Sequence, residues 1–403
     1  MRYIVQRMRR FCGFVTGFVF FISGVLKLID PVGAGLVMEE YFSFLHIGFM
    51  DFAAKPAGVL LAFAESVIGT AMITGIWRKA SAVASLSFQG FFTLLTLLLV
   101  IFNPQMDCGC FGEAIHLTHM QTFIKNIVLL TLLILAYVPM RNLGGPKRRK
   151  YVSFSLVTIS LMVFTIYSWA YIPMVDFTDF KPESILAASR SNINEEDMYE
   201  AVFVYEKDGQ KKAFTLEHLP DSTWTFVSTE TIMKDEFRKE GVSLSFYDPE
   251  GAYHDEEAAE GKVLVISVYE PDKMKRRWSE TARRIIYAEK AGFHTILLTA
   301  AAPEKMQDIM SGLSPEERET ISNHMYFSDF KTLVTLNRSN GGATFFNEGT
   351  LIAKWAYRAF PDNEKLEELY HENPMESSIN NKNKGSLSFQ GFLLYTFAVM
   401  LLL

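Results

Sequence analysis

Cysteine is scarce in this sequence, with three residues in a chain of 403. Cys12 lies in an apolar run near the N-terminus, while Cys108 and Cys110 flank one glycine in the stretch NPQMDCGCFGEAIHLTH. The sequence after Cys110 contains no cysteine. This absence excludes a disulfide framework for that part of the chain. Cys108 and Cys110 are therefore the only thiol pair that could serve redox chemistry.

Other chemical signatures are also missing from the sequence. There is no glycine-rich phosphate loop and no catalytic triad motif. The net charge is −6, and no stripe of basic residues with interleaved aromatics is present. We therefore expect no nucleic-acid partner. The stretch around Cys108 and Cys110 remains the main chemical feature.

Long apolar runs, by contrast, are abundant. An apolar run of roughly 18 or more residues can cross a bilayer as a helix, because a helix satisfies its own backbone hydrogen bonds. No small-residue cleavage site follows the first run, which favours an uncleaved span over a secretory signal. The predicted spans are Phe11–Ile29, Pro56–Ile76, Ser81–Phe102, Thr122–Met140, Val152–Ile172 and Ser386–Leu403. We therefore expect a multi-pass membrane protein with the lipid bilayer as its first partner.

Lys and Arg cluster in alternate loops between these spans, which sets the predicted orientation. Such residues favour the cytoplasmic side when they lie in short loops. They are Arg2, Arg7, Arg9 and Arg10 before the first span, Arg78 and Lys79 after the second, and Arg141 with Lys147, Arg148, Arg149 and Lys150 after the fourth. The Cys108 loop and the polar domain that follows the fifth span are then predicted to face outward. For a bacterial inner membrane that side is the periplasm.

The single-residue spacing of Cys108 and Cys110 points toward thiol exchange. Thiols outside the cytoplasm tend to be oxidised. A disulfide closed over one residue makes a small, strained ring, and strain makes a disulfide easier to exchange. Gly109 makes closure plausible because its backbone is permissive. A loop this short would gain little stability from a purely structural disulfide. A structural loop and a metal site nevertheless remain alternatives.

The metal alternative combines Cys108 and Cys110 with His116 and His119. Thiolates and imidazoles suit zinc or copper. However, the cysteine spacing is shorter than the usual two to four residues of such sites. Metal delivery is therefore kept as a competing function, and no metal-binding residue is predicted.

Glu65 lies within the second span and is the other candidate for chemistry. A charge there costs at least about 2.5 kcal/mol, so the carboxyl should be neutral, paired or facing a polar cavity. Near the outer end of the first span, Lys27 and Asp30 are three residues apart and share a helix face. They could pair, although snorkelling of Lys27 and a helix end before Pro31 are favoured.

Several motifs in this half resemble the DoxX/MauE family of small four-helix membrane proteins. They are SGVLKLIDP, AESVIGTAMITGIWRKAS, NPQMDCGCFG and FIKNIVLL, spread over about Gly13 to Tyr137. The resemblance implies a four-helix membrane core associated with membrane redox chemistry. It supports Cys108 and Cys110 as the redox pair and Glu65 as an intramembrane acid. By the same analogy, a quinone is the cofactor that the bundle would bind.

The polar half alternates between strand and helix patterns. A buried strand (Lys262–Glu270), an amphipathic helix (Trp278–Gly292), a second strand (Phe293–Ala300), a further helix and a hairpin (Ala343–Trp355) precede a last helix that Asp362 would cap. This order looks like a thioredoxin fold. Its first helix is preceded by EPDKMKRRW, without the Cys-x-x-Cys of a redox thioredoxin, and glycines replace the proline expected before the hairpin. We therefore expect partner binding rather than catalysis from this domain.

These patterns predict an α-helical membrane bundle, with a DoxX-like four-helix core plus flanking spans, and an extracytoplasmic α/β thioredoxin-like domain. The expected divisions are a DoxX/MauE-like domain (1–142), a fifth span (143–174), a small connector (175–260), the thioredoxin-like domain (261–373), and a polar linker with the last span (374–403).

The leading functional hypothesis is thiol–disulfide or quinone-linked redox work at the periplasmic surface. Cys108 and Cys110 would exchange with a periplasmic protein partner, and the chain would then be a membrane thiol–disulfide oxidoreductase. A non-enzymatic membrane scaffold or chaperone is the main alternative, in which the two cysteines brace a loop.

Overall fold

The computed structural model describes residues 2–104, 106, 108–115, 117–140, 148–190, 199–207, 210–214, 223–233 and 241–402. Its helices are α1 (Arg2–Ile29), α2 (Pro31–Phe44), α3 (Ala54–Thr74), α4 (Arg78–Phe102), α5 (His119–Tyr137), α6 (Arg148–Ala170), α7 (Ala187–Arg190), α8 (Arg277–Lys290), α9 (Pro303–Met310), α10 (Pro315–His324), α11 (Phe330–Leu336), α12 (Asn363–His371) and α13 (Pro374–Leu402). Its strands are β1 (Cys110–Glu113), β2 (Tyr199–Lys207), β3 (Gln210–Phe214), β4 (Thr225–Met233), β5 (Lys262–Val268), β6 (His294–Thr299), β7 (Met325–Phe327), β8 (Gly342–Asn347) and β9 (Thr350–Trp355).

Six helical segments in the described chain are long and apolar enough to cross a membrane, which confirms the predicted spans. They are α1, α3 with the 3-10 turn that precedes it, α4, α5, α6 and α13. Helix α2 is shorter and lies between the first two spans. The chain is therefore a multi-pass membrane protein by length and composition of its helices.

The start of the last helix corrects one prediction. The polar stretch from Asn373 to Lys384 predicts a linker, but α13 begins at Pro374. The Asn373 side chain accepts a hydrogen bond from the Met375 backbone N–H at 3.0 Å, which supports the first turn, where proline is favoured. Further along, the helix backbone packs closely on Met174, where a Cβ added at Gly385 would lie 2.1 Å from the carbonyl oxygen. Tertiary packing therefore outweighs the weak helix propensity of a stretch rich in Asn and Ser.

Small residues let α1 and α3 approach each other closely. A Cβ added at Gly24 would lie 2.2 Å from Ser66 Oγ and 2.6 Å from the Ala62 carbonyl oxygen. A Cβ added at Gly69 would lie 2.5 Å from the Phe21 backbone nitrogen. Close backbone approach through small residues is a general way in which helices associate in membranes. This contact fixes how side chains of α1 face α3.

A first prediction follows from this packing. Gly24→Ala should destabilise the bundle by about 1–3 kcal/mol, because overpacking forces the two helices apart. Gly90→Ala in α4 is the matched control, since nothing lies within 4 Å of its added Cβ. The control should be neutral or should stabilise the helix by up to about 1 kcal/mol. Denaturant unfolding of the detergent-solubilised chain measures both variants, and equal stabilities would contradict the packing argument.

The two ends of the bundle differ in charge. At one end, Arg9 donates a hydrogen bond to the Ala136 carbonyl at 2.9 Å, and Lys150 donates to the Met400 carbonyl at 2.8 Å. The start of α1, the ends of α5 and α13 and the start of α6 therefore share this basic end. Strand β1 lies at the other end, between the end of α4 and the start of α5. The end of α6, which leads into the α/β domain, is on that side too. The cysteine loop and the α/β domain thus lie at the same end, opposite the basic loops.

The α/β domain is built on a five-stranded mixed sheet in the order β7-β6-β5-β8-β9. Strand β5 pairs parallel with β6 and antiparallel with β8, and β8 and β9 form an antiparallel hairpin. Successive side chains of a strand point to opposite faces. Accordingly, Leu264 and Ile266 enter one buried apolar cluster, and Val263 and Val265 enter another. Both faces of the central strand are covered, as its continuous apolar sequence predicts.

The local predictions within this domain are confirmed. The hairpin turns at Glu348 and Gly349, both with positive φ. The Asp362 side chain caps α12 by accepting a hydrogen bond from the Lys365 backbone N–H at 2.9 Å. In the connector, β3, β2 and β4 form a second, antiparallel sheet in that order. Asp208 and Gly209, whose sequence predicts a hairpin turn, lie outside the described residues.

Candidate functional site

Hydroxyl groups of the bundle hold the backbone of the cysteine loop. Ser23 of α1 donates a hydrogen bond to the Cys110 carbonyl at 2.6 Å, and Tyr41 of α2 donates to the Cys108 carbonyl at 2.9 Å. Burial, reinforced by the two nearby cysteines, raises the pKa of the Tyr41 phenol, which therefore keeps its proton. The Cys108 side chain is buried, with 5% of its surface exposed, and Cys110 is half-buried. Both cysteines are thus fixed from the backbone side.

Gly109 is the tightest point of this loop. Its φ is +58°, and an added Cβ would lie 2.3 Å from Val37 Cγ1 of α2. Only glycine adopts such a backbone readily and leaves space for the valine. The glycine between the cysteines is therefore required by the backbone and by the packing together.

Cys12 lies elsewhere in the bundle. It is buried among apolar side chains that include Leu133 and Ala136. The apolar run around Cys12 predicts a small packing residue, and this environment confirms it. All three cysteines are thiols in the structure.

Glu65 forms an ion pair with Lys27 across the contact between α1 and α3. The distance from Lys27 Nζ to Glu65 Oε2 is 2.6 Å, and the two side chains are 18% and 9% exposed, respectively. The suggested pairing of Lys27 with Asp30 is therefore wrong, as is simple snorkelling of Lys27, because the close helix packing aims the lysine at α3. Asp30 instead caps α2, accepting a hydrogen bond from the Gly33 backbone N–H at 2.9 Å.

A cavity of about 70 Å³ lies between the helices and brings the predicted site residues together. Cys108, Cys110, Lys27 and Glu65 all line it. Aromatic side chains of α1 and α4 complete the wall. One water needs roughly 10–15 Å³ of such space, so the cavity can hold several. Cysteines and a buried ion pair thus share one small chamber inside the membrane domain.

Sequence reasoning missed several polar residues of this chamber besides Ser23 and Tyr41. Gln89, Lys125 and Asn126 also line it. Gln89 donates to the Asn126 carbonyl at 3.2 Å, and the Asn126 amide donates to Thr96 Oγ1 at 3.1 Å. Lys125 Nζ lies 4.6 Å from the centre of the Phe111 ring. Polar side chains within apolar spans often mark functional sites. Gln89 and Asn126 lie within such spans and could have been identified on that ground.

The proposed metal ligands are not brought together as far as the structure describes them. His119 opens α5, and its Nε2 lies 3.1 Å from the Met106 carbonyl oxygen. His116 lies outside the described residues. Within the described ranges, no group of three or more His, Cys, Asp or Glu side chains could hold a metal ion.

Two buried basic side chains, Arg338 and Lys354, attach the α/β domain to the membrane half through three ion pairs. Arg338 Nε lies 2.8 Å from Asp30 Oδ2, and an Arg338 terminal nitrogen lies 3.0 Å from Glu113 Oε1. Burial opposes the positive charge of Arg338, but the two carboxylates outweigh it and raise its pKa above the ordinary value. Lys354 of β9 lies 2.6 Å from Asp176, and burial lowers the pKa of this lysine despite its partner.

Fold and site together define a multi-pass membrane protein whose helical bundle encloses a cysteine pair and an ion pair, joined to an α/β domain. Residues 5–139 match the family described as methylamine utilisation protein MauE. The match covers about a third of the chain and confirms the MauE-like part of the resemblance. Residues 199–236 match a domain of unknown function (DUF8463), which includes β2 and β4. No curated protein and no solved structure matches the chain.

Proposed function

We propose that this chain is a membrane thiol–disulfide redox protein in which Cys108 and Cys110 are the exchanging pair. The observation that carries the proposal is the shared cavity, which both cysteines line together with Lys27 and Glu65. A redox pair that exchanges electrons within a membrane also needs groups that exchange protons. The paired carboxylate and ammonium supply such groups beside the thiols.

The proposed reaction begins with a dithiol of a protein partner. One partner thiolate attacks the Cys108–Cys110 disulfide, forms a mixed disulfide and releases the other cysteine as a thiolate. The second partner thiol then displaces the first sulfur. The partner leaves oxidised, and Cys108 and Cys110 are left as two thiols, having gained two electrons and two protons. The family resemblance implies a quinone as the oxidant; bound beside Cys108 and Cys110, it would supply the two-electron oxidation that re-forms their disulfide, and Lys27 and Glu65 would exchange the protons.

The α/β domain is proposed to be thioredoxin-like and to face the periplasm of a bacterial inner membrane. The strand order β6-β5-β8-β9, with a helical crossover between β5 and β6 and a closing hairpin and helix, supports the first point. The basic residues at the opposite end of the bundle support the second. Its role would be to cover and position the site. The alternative of a non-enzymatic scaffold rests on the buried ion pairs, which hold this domain against the bundle.

Thiol trapping tests the redox proposal directly. In a Cys12→Ser background, Cys108 and Cys110 are the only thiols, so each bound mass tag reports on them alone. The oxidised chain is expected to take no tag, and the same chain after reduction is expected to take two. Cys108→Ser and Cys110→Ser should each abolish oxidation of a model dithiol peptide. Two tags after treatment with oxidant, with no loss of partner oxidation in the serine variants, would refute the proposal and favour the scaffold.

A further inference from the structure

Arg338 connects the α/β domain to both structural supports of the cysteine loop. It lies just after α11, and only 4% of its side chain is exposed. Its Nε donates a hydrogen bond to Asp30 and its Nη2 donates to Glu113. The remaining nitrogen, Nη1, donates to the Val334 carbonyl at 3.3 Å. All three guanidinium nitrogens are therefore engaged, two of them with carboxylates of the membrane half.

The two carboxylates are placed where they bear on the cysteines. Glu113 is the last residue of β1, the four-residue strand that begins at Cys110. Asp30 caps α2, the helix whose Tyr41 binds the Cys108 carbonyl and whose Val37 packs on the intervening glycine. One guanidinium thus links the strand that holds one cysteine to the helix that holds the other.

Within the described residues, the ion pair of Lys354 at the same interface is not linked to the cysteine loop by hydrogen bonds. Lys354 of β9 bonds to Asp176, which follows α6 and also accepts a hydrogen bond from Thr178. None of its hydrogen bonds in the described chain reaches β1 or α2. Arg338 and Lys354 attach the same domain and both are buried, so Lys354 separates domain attachment from any effect on the loop.

We infer that Arg338 is a positioning residue for the Cys108–Cys110 pair and acts through Glu113 and Asp30. The inference deepens the proposed redox function and rests on it. A disulfide across one intervening residue closes a strained ring, so its formation requires that the surrounding backbone keep the two sulfurs together. Strand β1 and helix α2 hold that backbone, and Arg338 binds a carboxylate of each from the α/β domain. The α/β domain thereby sets the redox equilibrium of a thiol pair that it does not contain.

The test is a glutathione redox titration of the full-length Cys12→Ser chain, read by mass tagging. Arg338→Gln is expected to lower the equilibrium constant for disulfide closure about tenfold, equal to a shift of about 30 mV for this two-electron couple. Lys354→Gln should change it less than about twofold, because in the described chain Lys354 is hydrogen-bonded to Asp176 alone and acts on Arg338 and Asp30 only through its charge. Arg338→Lys can reach one carboxylate at a time and should recover part of the loss.

Two further measurements keep the test decisive. Glu113→Gln removes the ion pair between Arg338 and Glu113 without burying a new charge. It therefore reports on the loop even where Arg338→Gln folds poorly. The double variant Arg338→Gln/Glu113→Gln should lower the equilibrium constant for closure no further than Arg338→Gln alone, since both substitutions break the same Arg338–Glu113 contact. Equal shifts in the Arg338 and Lys354 variants, or none in either, would overturn the positioning role while leaving the redox function intact. A parent chain that forms no disulfide would overturn both proposals.

Discussion

Lys27→Met is expected to destabilise the membrane domain by about 3–5 kcal/mol, because it leaves the Glu65 carboxylate buried without its counter-charge. The pair lies within the helix bundle, and 9% of the glutamate side chain is exposed. A charge in such surroundings must find a partner or take up a proton. Glu65→Leu should cost a similar amount by leaving the ammonium unpaired. Unfolding of the purified chain in mixed detergent micelles measures both variants.

The double variant Lys27→Met/Glu65→Leu distinguishes a pair from two independent residues. Replacing both partners of a buried ion pair by apolar groups is often nearly neutral, so most of the lost stability should return. Lys382→Met is the matched control, because its ion pair with Glu183 is solvent-exposed and should contribute no more than about 1 kcal/mol. If the two single losses simply add in the double variant, the pairing is not what stabilises this part of the bundle. A stable double variant that no longer turns over its disulfide would assign the pair to proton exchange.

Features that depend on local sequence could be predicted for this protein. Each span is a run of apolar residues, and hydropathy in a window of about 20 residues is a local property. The strands and helices of the α/β domain also follow local periodicity, so β5, α8 and β6 lie where their patterns predict. The cysteine spacing and the intramembrane Glu65 are local features too, and they predict the site for the same reason.

Features that depend on helix packing could not be predicted. Lys27 and Asp30 share a helix face by their spacing, yet Lys27 turns to α3 and Asp30 to Arg338. The partner of Asp30 is 308 positions away in the chain, and no local pattern indicates it. The polar stretch before Ser386 predicts a linker, whereas α13 begins at Pro374, for a related reason. The helix backbone packs on Met174 at Gly385, beyond its first turns, and that contact is set by the tertiary fold rather than by propensity.

Gly109→Ala is expected to be the most damaging single-methyl change in the cysteine loop. A φ of +58° costs a residue with a Cβ about 1–2 kcal/mol. The same Cβ would lie 2.3 Å from Val37 Cγ1, so α2 or the loop must shift, at about 1–3 kcal/mol more. Because the Cys108 carbonyl binds Tyr41 of the same helix, the shift should also impair disulfide closure. Denaturant unfolding and the glutathione titration measure the two effects separately.

Gly112→Ala is the matched control for backbone strain without a clash. Its φ of +59° is almost the same, but its added Cβ would lie 3.5 Å from the nearest atom, the Leu26 carbonyl oxygen. It should cost about 1–2 kcal/mol and leave closure nearly unchanged. Val37→Ala removes both methyl groups that the new Cβ would meet, so the double variant with Gly109→Ala should recover the part of the loss due to the clash. If the two glycine variants are equally stable and close equally well, α2 does not hold the cysteines in place, and the pair is positioned by its own strand alone.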